Sequence, residues 1–395
     1  MGRSNLRDFL KQPDVEAVAL CDVYQPSLEE GLKLTEKKPE TYIDFRRVLD
    51  RNDIDAIVVS SPDHWHALQA IQACQAGKDV YVEKPISVVV EEGRKMVEAA
   101  RKHNRIVQVG TQQRSGVHFQ RAVKLVQEGI IGKVSYVKTW NYSNEFPRGI
   151  GNPPDSDPPA GLDWNLWLGP AREVPFNINR FGVSPNRWST FRYFWDYAGG
   201  MMTDWGVHLL DIVQWAMQVE GPKTITACGG KYFLEDNRDT PDTLQVTYEY
   251  PGWISVYENR VCNGNSMYNK GYGIEFHATE GTLSVDRRGI KVHPEKRRVG
   301  EERVDRMESI QMESVNNSHE DHVRDFLDSV KSRKLPRSDI EIGHRSTSVC
   351  LLANVALRSG QRIVWDAAKE RIIEGGSEAK KLLAREYRKP WKLEV

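Results

Sequence analysis

Between residues 5 and 110 the sequence alternates short, continuously apolar runs with segments of helical period, and this alternation restricts the chain more than any other feature. Leu6, Phe9 and Leu10 stand at helical spacing over 5–12. Val15-Glu16-Ala17-Val18-Ala19-Leu20-Cys21-Asp22 then reads as a buried strand that ends in an acid. A polar helix at 27–37 and a short one at 44–49 lead to the strand Ala56-Ile57-Val58-Val59-Ser60. A helix over 64–76 with Gly77 as its C-cap, a strand over 79–83, a helix over 90–103 and a strand over 106–110 complete the series. Short apolar strands, each separated from the next by a helix, specify a parallel doubly wound sheet.

Beyond residue 115 the texture changes. An amphipathic helix at 118–128 precedes a strand at 134–140, and residues 144–160 hold five prolines in a long irregular loop of the kind that carries function. Strands such as 243–250 and 254–258 alternate apolar and polar residues, the pattern of an antiparallel sheet with one open face. Helices at 318–333 and 343–358 close the fold. The expected architecture is therefore an α/β domain over 1–116 followed by an α+β domain over 117–395 with a large, open-faced, mainly antiparallel sheet; two domains also suit 395 residues. An open face of that size predicts a homo-oligomer, dimer or tetramer.

Lys plus Arg equals Asp plus Glu at 55 each, which argues against nucleic acid or a membrane surface as the partner and for a small polar ligand. The five cysteines form no CxxC pair, so no zinc knuckle or disulfide framework is expected, and no metal site. No apolar run approaches the ~18 residues of a membrane span. Met1 is followed by polar residues, so the chain as written reads as cytoplasmic; a longer native N-terminus would leave room for an exported form.

Four segments carry chemistry. Asp22, after the strand at 15–21, stands where a Rossmann domain sets an acid against the adenosine ribose, a place where it would also repel a 2′-phosphate; alone it would read as a helix cap or a solvated acid. The glycine-rich turn of such a domain lies ~20 residues before that acid, and twenty back from Asp22 is Gly2, the last glycine of the motif. The first strand and the other glycines are then missing, and Met1 is expected to be an internal methionine of a longer protein, with a trimmed domain as the alternative. Ser61-Pro62-Asp63-His64-Trp65-His66 forms a strand-end turn and helix start that can lie against a dinucleotide, with capping and packing as the plain alternative for its histidines. Glu83-Lys84-Pro85 sets a lysine just past another strand end, able to bond a substrate hydroxyl and, if burial and positive neighbours lower its pKa, to take its proton. Asp204 and His208, four apart on an apolar helix after Gly199-Gly200, need partners if buried: a polar substrate, or each other.

Glu83-Lys84-Pro85, Ser61-Pro62 with His66, and Gly199-Gly200 with Asp204 and His208 together resemble the glucose-fructose oxidoreductase, inositol dehydrogenase and MocA family over nearly the whole chain. The resemblance implies Lys84 as the catalytic acid/base or hydroxyl donor, with Asp204 and His208 holding or deprotonating the reacting hydroxyl. It implies cofactor contacts from Ser61, Pro62, His66, Glu83, Lys84 and Gln112, and NAD rather than NADP from Asp22. Trp164 and Trp167 resemble a segment near the substrate cleft. Tyr142, Phe181, Trp188, Tyr193 and Trp195 suit stacking on a sugar ring or core packing equally. The implied function is hydride transfer between NAD and a hydroxyl-bearing carbon of a sugar, sugar derivative or cyclic polyol. The alternatives are a glycoside-cleaving relative that oxidises its sugar transiently, against which Lys84 argues, and a dinucleotide-binding regulator, which would not need Lys84, Asp204 and His208 together.

Overall fold

The computed structural model describes residues 1–184, 187–265 and 269–395; the side chain of Trp188 lies outside what is described. The first domain runs α1 (Gly2–Leu10), β1 (Ala19–Cys21), α2 (Gln25–Leu32), β2 (Glu40–Tyr42), α3 (Phe45–Leu49), β3 (Ala56–Val59), α4 (Asp63–Gln75), β4 (Asp79–Val82), α5 (Val90–Lys102) and β5 (Val107–Val109). Every strand pairing in it is parallel, in two groups: β2 with β1, and β3-β4-β5. Three details differ from the sequence reading. The helix expected over 27–37 runs Gln25–Leu32. The strand expected over 15–22 is confined to Ala19–Cys21, because its one ladder neighbour, β2, offers three residues. β2 itself, Glu-Thr-Tyr, is too short and polar to show periodicity. Helices cover both faces of β3-β4-β5. Phe9 of α1 meets Tyr81 and Phe326 edge-on at 5.5 and 6.0 Å on one side. Ala70, Ile71, Met96 and Ala100 of α4 and α5 pack beneath Val80, Val82 and Val107 on the other.

The second domain begins with α6 (Val117–Gln127) and β6 (Val134–Tyr142), followed by the proline-rich loop, which is irregular as expected. Short pieces follow: α7 (Trp164–Leu168), α8 (Ile178–Phe181), β7 (Val183–Ser184) and β8 (Arg187–Trp188). Then come α9 (Gly200–Asp204), α10 (Gly206–Met217), β9 (Thr224–Gly230), β10 (Thr243–Tyr250), β11 (Trp253–Arg260), β12 (Tyr272–Ala278), β13 (Gly281–Asp286), β14 (Gly289–Pro294), β15 (Lys296–Val299), β16 (Glu302–Asp305) and β17 (Ile310–Glu313). The chain closes with α11 (Ser318–Ser332), α12 (Ile340–Ser359), β18 (Ile363–Asp366), β19 (Arg371–Glu374) and α13 (Gly376–Lys381). Ten strands form one sheet in the order β17-β14-β13-β12-β6-β11-β10-β9-β18-β19, antiparallel except where β6 meets β11. Leu244, Val246, Tyr248 and Tyr250 of β10 enter the core under α10 and α12, while Thr243, Gln245, Thr247 and Glu249 line the open face. The sheet alternation read from the sequence holds.

Two features fix the domains against each other. Arg114, after β5, chelates Asp211 of α10 through Nε and Nη2 at 2.8–3.0 Å, and Ser346 of α12 donates to the same carboxylate. Both partners are buried, so the pair meets its desolvation cost by full hydrogen bonding. The second feature is a strap over 385–391. Arg385 and Tyr387 donate to Glu92 of α5, Arg388 donates to Gly169 O, and the Trp391 ring meets Trp65 of α4 at 4.8 Å. Gly169 has φ +48°, and a Cβ there would stand 2.0 Å from the Trp65 ring, so only glycine fits. No described helix is long and apolar enough to cross a membrane.

Arg114→Met leaves Asp211 buried without its cation; the expected loss is about 3–5 kcal/mol, read as a lower denaturant midpoint at unchanged slope.

Candidate active site

The carboxyl ends of the parallel strands open on one side, into a cavity of about 2130 Å³. Asp22, Ser61, Pro62, His66, Glu83 and Lys84 line it, and so does Gly2 at the start of α1. It continues between the two strand groups, since β1 and β3 share no ladder hydrogen bonds. Each residue is held by its strand end. Asp22 accepts from Tyr24 N at 2.9 Å, and burial raises its carboxyl to about 6. Ser61 donates to Gln69. His66 sets its two ring nitrogens at 2.7 Å from Ser61 O and Pro85 O, tying the β3 turn to the β4 turn. Glu83 is buried; its Oε1 accepts from Asn5 of α1 at 2.8 Å and from Gln112 at 3.2 Å, while Oε2 has no partner. Gly110 permits this, because a Cβ there would lie 2.9 Å from the Glu83 carboxyl. Gln112 therefore sits behind Glu83, outside the cavity lining.

Lys84 reaches across to the second domain. Its Nζ donates to Asp204 Oδ1 at 2.8 Å and to Asp204 O at 2.9 Å, and Arg192 stands 3.3 Å from the same Oδ1. Burial alone would raise the Asp204 carboxyl, but Arg192 and Lys84 outweigh it and hold it at about 2. The helix expected to carry both Asp204 and His208 is interrupted at Trp205, between α9 and α10. His208 stays buried next to the Trp205 ring, and its Nδ1 lacks a partner. Burial, reinforced by Lys84 and Arg287, drives its pKa well below the usual histidine range, so the imidazole is neutral.

The aromatic segment is a wall. Trp164 and Trp167 stack at 4.7 Å, and Trp167 meets Tyr197 edge-on at 4.8 Å. Trp167 and Phe181 line the cavity, whereas Tyr142, Tyr193 and Trp195 do not. Tyr193 instead donates to Glu145, and Tyr142 to Glu258 on the sheet. His64 is buried with Nε2 at 3.0 Å from Trp167 O. Among the described residues no three His, Cys, Asp or Glu side chains are placed to hold a metal.

Sequence reasoning missed Arg192, Asn5 and Asp63. Arg192 and Asn5 carried no signal, since neither partner stands at a helical or strand spacing: Asn5 meets Glu83 78 residues away and Arg192 meets Asp204 across the turn into α9. Asp63 stood inside the Ser61–His66 turn, where no role was read for it. It lines the cavity, buried, and desolvation pushes its carboxyl up to about 7 against the pull of Lys84 and Arg192.

A carboxyl raised from 3.8 to about 7 on folding favours the protonated native state, so this group is least costly below pH 3.8 and destabilises progressively as pH rises toward 7. Asp63→Asn is therefore expected to raise stability at pH ~8 by on the order of 3 kcal/mol and to leave it unchanged at pH ~4, measured by denaturant unfolding at both values.

Comparison with known proteins gives the family and the fold. Residues 1–111 match the model described as "Oxidoreductase family, NAD-binding Rossmann fold", and residues 115–249 and 306–393 match "Oxidoreductase family, C-terminal alpha/beta domain". Among solved structures, the aldose-aldose oxidoreductase from Caulobacter crescentus complexed with glycerol superposes with TM-score 0.66 at 18% identity, covering 92% of this chain and 95% of that one. Levoglucosan dehydrogenase in complex with NADH and levoglucosan gives 0.64 at 17%, covering 94% and 96%. These likenesses concern the fold. The alpha-N-acetylgalactosaminidase of Shewanella oneidensis is 28% identical over 141 residues, 34% of this chain and 31% of that protein, so the match spans about a third of the relative's length. With both of its domains matched in order, the chain belongs to the glucose-fructose oxidoreductase, inositol dehydrogenase and MocA family of oxidoreductases.

Proposed function

We propose that this oxidoreductase transfers a hydride between NAD and a hydroxyl-bearing carbon of a sugar, sugar derivative or cyclic polyol. The observation that carries the reading is the meeting of Lys84 and Asp204 at the edge of a cavity lined by Asp22, Ser61, Pro62 and Glu83. The residues present fit the nucleotide. Glu83 Oε2 is a buried acceptor without a partner, suited to a ribose hydroxyl. Asp22 suits the adenosine ribose and disfavours a 2′-phosphate, hence NAD over NADP. The first turn of α1, at Gly2, suits the pyrophosphate. Ser61, Pro62 and His66 shape the wall beside it, and Gln112 holds Glu83 in place.

When bound, NAD supplies the hydride acceptor. The chain's own part is to hold the hydroxyl and move its proton. Lys84 uses two donors on Asp204 and keeps its third for the substrate oxygen. Neutral His208 offers a ring nitrogen with a free lone pair, so the hydroxyl proton passes from the oxygen held by Lys84 toward His208 as hydride leaves the carbon. Asp204 orients Lys84. The open sheet face supports a homo-oligomer, which sedimentation would test.

The match to an alpha-N-acetylgalactosaminidase favours a second reading, glycoside cleavage through transient oxidation of the sugar. It is separated from the first by products: the dehydrogenase accumulates NADH in proportion to ketone, whereas the cleaving enzyme releases aglycone with no net NADH.

Calorimetric titration of the full chain with NAD is expected to give micromolar binding; absence of binding would sink both readings. In a polyol and sugar screen followed by NADH absorbance, Lys84→Met is expected to lower kcat by about 10²–10⁴-fold with NAD affinity retained, and full turnover in that variant would remove Lys84 from the chemistry.

A further inference from the structure

Cations gather around Asp204 at the inner edge of the cavity. Lys84 and Arg192 share a single oxygen, Asp204 Oδ1. A third cation, Arg287, arrives from the turn between β13 and β14. Its guanidinium lies over the Trp205 ring at 5.1 Å and over Tyr272 at 5.9 Å, and its charge is felt at both Asp204 and His208. Neighbouring cations are matched: Lys270 and Arg288 both pair with Asp286. Among the described residues no carboxylate pairs with Arg287. Against these three cations stand Asp204, Glu83 and Asp63, the last pushed up to about 7 by burial, and Arg287 is the cation left without a carboxylate of its own.

We propose that this corner is an oxyanion subsite, so that the sugar oxidised here carries an acidic substituent received by Arg287 and Arg192 beside the hydroxyl held by Lys84. The inference rests on the dehydrogenase reading and narrows it. A guanidinium stacked on aromatic rings is pre-oriented and weakly hydrated, and its fork matches a carboxylate or a phosphate. A neutral polyol would leave the Arg287 guanidinium without an anionic partner. An anion would repair a second mismatch. The charges that depress the basicity of His208 would be offset by it, restoring a better proton acceptor only when the acidic substrate is in place.

The test is calorimetric titration of the full chain with glucuronate, a glucose phosphate and glucose, each with and without saturating NADH. At least one acidic sugar is expected to bind about tenfold or more tightly than glucose, a difference well resolved by the method. The tighter of the two acids identifies carboxylate or phosphate as the source. Arg287→Gln, at an exposed turn that should not perturb folding, is expected to bring the acid to within about threefold of glucose, and Arg287→Lys to keep most of the preference, because it retains the charge and loses only the fork. Equal affinity for acidic and neutral sugars, no binding of either acid, or an unchanged preference in Arg287→Gln overturns the subsite. Failure of NADH itself to bind would instead strike the dehydrogenase reading, and the titrations without nucleotide would still decide the subsite.

Discussion

One carboxylate holds the two halves of the site in register. Asp204 belongs to the second domain and Lys84 to the first, and Lys84 Nζ is anchored twice on that residue, through carboxylate and main-chain carbonyl. A lysine side chain has four rotatable bonds and costs about 2 kcal/mol of rotamer entropy to fix. Two hydrogen bonds to a buried acceptor, strengthened by charge, are what make a single orientation persist. Everything else around the cavity supports this placement. His66 ties the turn after β3 to the turn after β4, Asn5 and Gln112 pin Glu83, and the Arg114–Asp211 pair locks α10 against the strand-end loop after β5.

The electrostatics around that carboxylate are deliberately uneven. Asp204 stays ionised at about 2 between two cations, while Asp63, equally buried, is pushed to about 7 because its cations are more distant in effect than its burial. The two acids differ by environment, not by chemistry, which is the pattern of sites that handle protons near neutral pH. His208 completes the set as a neutral group.

Much of this was legible in the sequence, for a physical reason. Buried parallel strands write themselves as continuous apolar runs, and ligand-facing residues fall at their carboxyl ends, so Asp22, Ser61, Glu83 and Lys84 could be placed on one edge by counting. Asp204 and His208 were visible because polar groups on an apolar helix stand out. What periodicity cannot show is pairing across the chain. Asn5 on Glu83, Arg192 on Asp204 and Arg287 over Trp205 are each set by tertiary approach, and no local pattern marks them. Short polar β2 escaped for the opposite reason, being too brief to have a period. Aromatic residues were ambiguous from the start: Phe181 lines the cavity, whereas Tyr193 is buried and donates to Glu145 of the proline-rich loop.

The strap over 385–391 has a bearing on how the molecule is made. Glu92, His64 O, Gly169 O and the exposed edges of Phe45 and Trp65 receive partners from the last tenth of the chain, and Phe326 and Ile340 fill the underside and edge of the β3-β4-β5 sheet. A ribosome delivering this protein therefore releases the nucleotide-binding half long before its packing partners emerge. The change of architecture near residue 116 marks where one sheet ends and another begins, but it is not a seam along which folding can be completed in two instalments.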